Sequence, residues 1–184
     1  MSQVFYKFLA RGALGPITEA AWPAPTHAGP GAWLEAAGAI EECRNGVHVC
    51  RASDLSHWLH DELWRVEVAG ELCDGRDCVI ATRGRLIERI ELWSQGGAQR
   101  FAEACRDHAA ELVERTPSAD LTRLRQIVAD ASAHLPRGNT ALAAYCSAMA
   151  IAWLHGGDHF DTVGYRQERA WQSELLARDL SLSV

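Results

Sequence analysis

The hydrophobic pattern of this chain changes its period at Gly96-Gly97, and that change limits the folds that the chain can adopt. Before these glycines apolar residues alternate with polar ones, as in Glu62–Val68, where every second side chain is apolar. A period of two predicts half-buried strands. After the glycines, apolar residues recur every three or four positions, which predicts amphipathic helices. We therefore predict an α+β protein whose strands precede its helices.

The first half predicts a small mixed or antiparallel sheet with one brief helix, over Leu55–His60. The strands are predicted at Gln3–Leu9, Val47–Arg51, Glu62–Val68, Cys78–Thr82 and Arg85–Trp93. Asp74-Gly75 is a hairpin turn signal. Arg83-Gly84 interrupts the alternation of the last two strands, and this predicts a bulge or a bend there.

The segment Arg11–Gly31 holds four of the six prolines of the chain and is long for a connection without regular structure. It also carries Trp22, a large apolar side chain that needs cover. We therefore predict an ordered flap that lies across the sheet.

The second half predicts a layer of four helices that packs against the sheet. They are predicted at Gln99–Arg115, Leu121–Leu135, Ala141–His155 and from Asp161 or Thr162 onward. The third is apolar nearly all round, so we expect it to be the central helix. In the last, we expect Tyr165, Ala170 or Trp171, and Leu175 to face inward. Residues 1–96 and 97–184 are then two regions that share one core.

Composition excludes several classes of protein. With 48% hydrophobic and 23% charged residues, the chain is too apolar to be disordered. Its net charge of −6 and the absence of a basic run argue against nucleic-acid binding. The most apolar stretch, Ala141–Leu154, is too short to span a bilayer. No secretory signal is visible, so we expect a cytoplasmic protein with reduced cysteines.

The basic residues are 17 arginines and one lysine, Lys7, out of 18 in all. With the abundant alanine, this usage indicates a GC-rich bacterial genome. It reflects codon preference, so arginine positions carry little functional information here.

The densest group of potential metal ligands is Cys43, His48 and Cys50, with Cys73 and Cys78 on later strands. Zinc prefers Cys and His ligands in a tetrahedron. The Cys-x4-His-x-Cys spacing matches no common zinc-knuckle pattern, and free Cys behaves as a small buried hydrophobe. We therefore predict core thiols, no metal and no cofactor; a zinc site, a disulfide or a reactive thiol are the alternatives that stay open.

The plausible acid–base groups are His48, His57, His60 and Glu62. Imidazoles at i and i+3 beside carboxylates could transfer protons, although a solvated helix end is the simpler interpretation of His57 and His60. For ligand binding, Trp22 and Trp33 flank the Pro/Gly-rich segment, where binding sites tend to lie. Tyr6 on the first strand completes the candidate ligand-binding set.

Three stretches carry a resemblance to a known family: Tyr6-Lys7, then Ile40-x2-Cys43-x2-Gly46-x-His48-x-Cys50, then Glu62–Glu71. Over about residues 5–93 the chain resembles a domain family of unknown function found in bacterial and phage proteins. Ala144–Leu176, with Glu168-Arg-Ala-Trp-Gln172, is similar to the Ala-rich helices of bacterial immunity-type proteins. The second resemblance implies a protein that binds another protein.

The order of strands and short helix in the first half is also similar to ADP-ribosyltransferase-like domains. Those enzymes carry an Arg or His on the first strand and a late Glu. Here the first strand offers Tyr6 and Lys7, and the late glutamates Glu88 and Glu91 lie in no matching motif. The likeness therefore concerns the fold.

Two hypotheses of function follow. The first is a non-catalytic binding or immunity-type protein with a protein partner, favoured by the lack of a catalytic motif and by the acidic helical half. The alternative is a small enzyme acting on an organic ligand in a cleft lined by Trp and His, either in specialised metabolism or as an ADP-ribosyltransferase-like protein. Neither hypothesis involves nucleic acid or a membrane.

Overall fold

The computed structural model of the chain describes residues 4–118 and 120–183 and has an α+β fold. The strands are β1 (Phe5–Leu9), β2 (Leu34–Glu35), β3 (Val47–Val49), β4 (Glu62–Asp74) and β5 (Val79–Arg89). The helices are α1 (Gln95–Arg115), α2 (Leu121–His134), α3 (Thr140–Gly156) and α4 (Thr162–Asp179). Short 3-10 helices cover Ala52–His57 and Leu135–Arg137. The predicted first residue of β1, Gln3, lies outside the described residues.

The chain divides into two compact units. The strand unit ends at Ser94 and also takes in the C-terminal segment from Ala177. The helical unit is Gln95–Leu176.

The strands of the first unit are all antiparallel and close into a ring. Their order is β1-β4-β5-β2, and β3 also pairs with β5. The ring closes where Tyr6 of β1 bridges Cys50, just after β3, through backbone hydrogen bonds of 2.9 and 2.7 Å. This pairing satisfies backbone groups at edges that would otherwise stay open.

The bulge of the hairpin lies elsewhere than predicted. Arg83-Gly84 continues β5 without interruption, and the register shifts instead at two places, between Arg65 and Val66 and between Ala69 and Leu72 of β4, the second of which contains Gly70. Gly70 supplies the reason for the second shift, because its φ is +85° and a Cβ there would lie 2.8 Å from the Cβ of Thr82. Only glycine tolerates both the conformation and the contact.

Both sides of β1 and β4 are buried: Tyr6, Phe8 and Leu63 lie on one side, and the cluster that includes Trp22 lies on the other. Alternation places Phe5 and Leu9 on this side, and they pack with Val66, Leu86 and Trp22. Trp22 comes from the Arg11–Gly31 segment, which is held by backbone hydrogen bonds such as Trp22 N–H to Ala13 O (2.9 Å). The expected ordered flap is therefore present.

In the helical unit, α3 packs against both α1 and α2, as expected for a central helix. Its buried side chains are mostly alanines, which let helix backbones approach closely; they are Ala143, Ala144, Ala148, Ala150 and Ala152. One side of α3 stays open, because Leu142 and Tyr145 are 47% and 43% exposed.

Two helix predictions need correction. Helix α1 begins at Gln95, four residues before the predicted Gln99, so Gly96-Gly97 lies in its first turn. Glycine is tolerated there because the first N–H groups of a helix have no intrahelical partner. In α4 the buried residues include Glu168, Arg169 and Gln172, whereas the predicted Ala170 is exposed.

None of the helices among the described residues combines the length and the apolar character needed to cross a bilayer.

Replacing Ala148 with Asp tests the central place of α3. Ala148 is fully buried, so an unpaired carboxylate there should lower the free energy of unfolding by several kcal/mol, on the order of the total stability. We expect insoluble protein, measured as the soluble fraction after expression. Ala141→Asp is the matched control, because Ala141 is exposed at the start of the same helix. A soluble Ala148→Asp protein with a normal melting temperature would contradict the central position of α3.

Candidate functional site

Both ring nitrogens of His48 contact backbone groups of the turn that precedes β3. Its Nε2 accepts the backbone N–H of Cys43 at 3.1 Å, and its Nδ1 lies 3.1 Å from the carbonyl oxygen of Gly46. With Nε2 as the acceptor of the Cys43 N–H, Nδ1 is the nitrogen that can donate to the Gly46 carbonyl. Both ring nitrogens are therefore used in local structure.

Glu62 anchors the flap to the sheet. It is 5% exposed, and its two oxygens accept the backbone N–H groups of Gly12 and Ala13, each at 3.1 Å. The indole N–H of Trp64 also donates to it at 3.1 Å, and Arg89 lies 3.5 Å away. A carboxylate buried in this way is stabilised by its charge-assisted hydrogen bonds. It fixes where the flap leaves β1.

The other two candidate histidines have partners of their own. His57, at the end of the 3-10 helix, has its Nε2 3.9 Å from a carboxylate oxygen of Asp77. His60 accepts the backbone N–H of Asp61 through Nδ1 at 2.9 Å, and its carbonyl accepts the indole N–H of Trp93 at 2.8 Å. Each of the four predicted acid–base groups thus has a separate set of contacts within the strand unit.

Trp22 and Lys7 meet on one buried side of β1. The Lys7 Nζ donates to the His48 carbonyl at 2.6 Å and lies 5.0 Å from the centre of the Trp22 ring. Burial lowers the pKa of the Lys7 amine from its usual value, and electrostatic interaction with Cys50 and Cys78 opposes this shift. The ring and the carbonyl both favour the charged form. The two described contacts of this lysine, the His48 carbonyl and the Trp22 ring, therefore carry no full charge.

Trp33 and Tyr6, the other proposed ligand-binding residues, lie in different surroundings. Trp33 is half-buried between two guanidinium groups, 4.7 Å from Arg83 and 4.5 Å from Arg85. Tyr6 is fully buried, and its hydroxyl group donates to the carbonyl of Ser183 at 3.2 Å. Trp33 can still contact a ligand at the surface, whereas Tyr6 ties β1 to the C-terminal segment.

The cysteines are all free; Cys50 and Cys78 are buried, whereas Cys43 and Cys73 are exposed, so the prediction of core thiols was wrong for Cys43 and Cys73. Burial raises the pKa of the two buried thiols near Lys7. The pKa of Cys78 rises to about 11, and that of Cys50 also rises. A protonated thiol is a poor metal ligand. Within residues 4–118 and 120–183, no three His, Cys, Asp or Glu side chains are grouped so that they could hold a metal ion.

The helical unit contains a buried polar network that the sequence interpretation did not include. Glu168 of α4 accepts from the Gln172 side-chain amide at 3.3 Å, and the same amide nitrogen donates to the Ala144 carbonyl of α3 at 3.0 Å. The Gln172 side-chain oxygen accepts from Arg169 at 2.8 Å. From α1, His108 Nε2 lies 3.3 Å from Glu168. One carboxyl group therefore links three helices.

The electrostatics of this network are unusual for a surface helix. Burial raises the pKa of Glu168 to about 7, against the opposing effects of Gln172 and Arg169. Burial also lowers the pKa of His108, against the opposing charge of Glu111. The His108 ring stacks on Trp171 with ring centres 3.8 Å apart. Glu168 thus changes its charge near neutral pH.

A row of aromatic rings, which we call the aromatic strip, runs along α3, α4 and the turn between them. Tyr145 contacts Tyr165 (6.3 Å between ring centres), Tyr165 contacts Phe160 (5.6 Å), and Phe160 contacts Trp153 (6.2 Å). Arg123 of α2 lies 3.6 Å over the Trp153 ring. Tyr145 is exposed and the other three rings are half-buried.

One signal in the sequence could have revealed the polar network. Between Thr162 and Glu174, helix α4 is short of apolar residues, although it follows a helix that is apolar nearly all round. A helix packed on such a neighbour has to bury polar side chains, and Glu168 and Gln172 are spaced i, i+4 on one face. The aromatic strip gave no comparable signal, because its rings come from two helices and the turn between them.

Comparison with protein-family models, with curated protein sequences and with solved structures finds no match for this chain. The resemblances to a bacterial and phage domain, to immunity-type helices and to ADP-ribosyltransferase-like domains therefore stay predictions.

Replacing Glu62 with Ala tests its role as an anchor. The change leaves two backbone N–H groups and one indole N–H without their acceptor, so the free energy of unfolding should fall by about 2–4 kcal/mol. Urea unfolding measures this loss. Tryptic cleavage after Arg11 should also become faster, since that residue lies in the released flap.

The matched control is Glu67→Ala, which removes an exposed carboxylate paired with Arg85 at 2.6 Å. Exposed pairs contribute roughly 0–1 kcal/mol, so this variant should unfold close to wild type. Equal stability and equal cleavage of the two variants would refute the anchor.

The pKa of Lys7 can be measured directly, because protein made with lysine 13C-labelled at Cε gives a single lysine resonance. Its shift should titrate below the usual 10.5, since burial disfavours the ammonium ion. Trp22→Ala should move the midpoint back toward 10.5 by admitting water. A wild-type midpoint at or above 10.5 would show that the carbonyl and the ring outweigh burial.

Proposed function

We propose that this chain is a non-catalytic binding protein of the immunity type, which binds a protein partner through the aromatic strip. The observation that carries the proposal is the continuous contact of Tyr145, Tyr165, Phe160 and Trp153 at the surface of the helical unit. Tyr145 is exposed and the other three rings are half-buried, with Trp153 also packed against the core of the unit, so the row reaches the surface from the core. Apolar groups that reach the surface side by side mark interaction sites in globular proteins.

The residue types of the strip favour a protein partner over a small molecule. Tyr, Trp and Arg dominate the residues that contribute most to protein–protein affinity. Here Arg123 lies over Trp153, and two of the three ring pairs are edge to face and the third is tilted, so each ring is held by a neighbour before binding. Preorganised anchors lose little conformational entropy on association.

Charge favours a basic partner. The chain carries a net charge of −6. At one end of the strip, Asp158 is 98% exposed, and its hydrogen bond with His159 lowers its pKa. Asp161 nearby also has a lowered pKa, because it accepts the backbone N–H groups of Val163 and Gly164. Both carboxylates are therefore ionised at neutral pH and would attract a positively charged surface.

The environment of the candidate acid–base groups supports a non-catalytic role. A general base needs a free lone pair in reach of its substrate. His48 uses both ring nitrogens within its own turn, and Glu62 uses both oxygens to hold the flap. The six free cysteines favour a reducing compartment, and we include a cytoplasmic location in the proposal.

A second candidate function, a small enzyme acting on an organic ligand, is favoured by Lys7. Its amine lies beneath Trp22, and burial lowers its pKa. A neutral amine is a nucleophile toward carbonyl compounds. Reduction with cyanoborohydride in the presence of pyridoxal would trap such an adduct on Lys7; labelling of the α-amino group alone would reject this candidate.

The binding proposal is tested with the purified products of the genes adjacent to its own, each titrated against the chain by calorimetry. One product should bind. Tyr145→Ala and Trp153→Ala should each weaken that binding about 30-fold, the change expected for an anchor worth about 2 kcal/mol. Raising the salt concentration should slow association, as expected for opposite charges.

The matched control is Ile17→Ala, which shortens a side chain that is 83% exposed in the flap, outside the strip. This variant should bind with wild-type affinity. A partner that binds all three variants equally tightly would show that the strip is not the binding surface.

A further inference from the structure

Glu168 is the point where three helices of the helical unit are joined by polar side chains. Its carboxyl group is 3% exposed and belongs to α4. Through Gln172 it reaches the Ala144 carbonyl of α3, and through His108 it reaches α1. Most helix contacts in such a unit are apolar, so this junction is where charge can change the packing of α4.

The charged and titratable groups around this carboxyl group come from α1 and from α4 itself. From α1, His108 lies at 3.3 Å, and the buried thiol of Cys105 interacts with Glu168 electrostatically. From α4, Arg169 is bonded to Gln172 and interacts with Glu168 electrostatically. The contribution of α3 is the carbonyl of Ala144, which carries no full charge.

We propose that Glu168 is a proton-controlled latch, which holds α4 against α1 and α3 while its carboxyl group is protonated and weakens that hold when the group ionises. A neutral carboxyl group is cheap to bury and can donate its O–H as well as accept. An ionised one must lose its hydration on burial, and the surrounding groups compensate for this only in part. The latch is independent of the proposed binding function.

The direction of the effect follows from the two states of the group. In a locally opened α4, Glu168 titrates near its usual 4.5, whereas in the closed unit its pKa is about 7. Between these values the closed state holds more protons, so opening becomes easier as pH rises from 4.5 and levels off above 7. His108 acts in the opposite direction, because its pKa is lowered in the closed unit. Below pH 6.5 the closed state therefore binds fewer protons than the open state, and this contribution makes opening harder as the pH rises toward 6.5.

Native-state hydrogen exchange measures this opening for each amide of α4. After correction for intrinsic exchange, the opening constant of wild type divided by that of Glu168→Gln should rise roughly 30-fold between pH 5.5 and 8.5. The ratio removes the contribution of titrating groups that are remote from Glu168 and common to both proteins, whereas His108, at 3.3 Å, is measured with it by repeating the comparison in His108→Gln protein. Amides of α2 should show a much smaller rise, since no residue of α2 takes part in the contacts described for this carboxyl group.

Glu174→Gln is the matched control, because Glu174 is an exposed glutamate on the same helix. It should show the same pH dependence as wild type. Identical pH dependence of wild type and Glu168→Gln would overturn the latch. An equal rise in α2 and α4 would also overturn it, because the proton would then act on the whole unit.

A second measurement decides the matter if Glu168→Gln fails to fold. In wild-type protein labelled with 13C, the side-chain carboxyl resonance of Glu168 can be assigned through its backbone and followed with pH. A midpoint near 7 supports the latch, and a midpoint near 4.5 refutes it, since an ordinary carboxyl group would stay ionised in both states.

Discussion

The strand unit depends on the pair of backbone hydrogen bonds between Tyr6 and Cys50, at 2.9 and 2.7 Å. They join the first strand to β3 and turn an open antiparallel sheet into a ring. The Lys7 side chain adds a second connection by donating to the His48 carbonyl at 2.6 Å. Because the ring fixes β1, it also fixes the start of the flap, which Glu62 then holds through the N–H groups of Gly12 and Ala13. Residues with the chemistry of a catalytic site thus maintain the architecture.

The helical unit combines apolar packing around α3 with buried polar groups on α4. Small alanines bring α3 close to α1 and α2, and this packing is apolar. Helix α4 instead presents Glu168, Arg169 and Gln172 to the interior. Burying these groups costs free energy, which their mutual hydrogen bonds offset only while all of them are satisfied. The four rings of the aromatic strip are half-buried or exposed at the same helices and the turn between them.

Sequence periodicity predicted the strands and helices whose formation depends on residues that are neighbours along the chain. The alternation in Glu62–Val68 gave the start of β4, and the apolar run Ala141–Leu154 gave the central helix α3. The bulge at Gly70 escaped prediction, because it depends on contact with Thr82 across the hairpin. On the inward face of α4, Leu175 is buried as predicted, but the buried Glu168, Arg169 and Gln172 were missed because polar residues were not considered as core.

The candidate site was less predictable than the fold, because it depends on contacts between residues that are far apart in the chain. Glu62 and His48 were chosen by residue type, but their roles are set by partners such as Ala13, 49 positions away from Glu62 in the chain. The aromatic strip brings together rings from α3, α4 and the turn between them. Such a surface becomes visible only when the helices are placed side by side.

The central claim is that the aromatic strip, rather than the flap region of the strand unit, is the working surface. Hydroxyl-radical footprinting measures the oxidation rate of each aromatic side chain, in purified protein and in an extract of the cells that make it. The account predicts that Tyr145 and Trp153 become protected in the extract, while Trp33 and Trp58 keep their rates. Protection of Trp33 with unchanged oxidation of Tyr145 and Trp153 would contradict it.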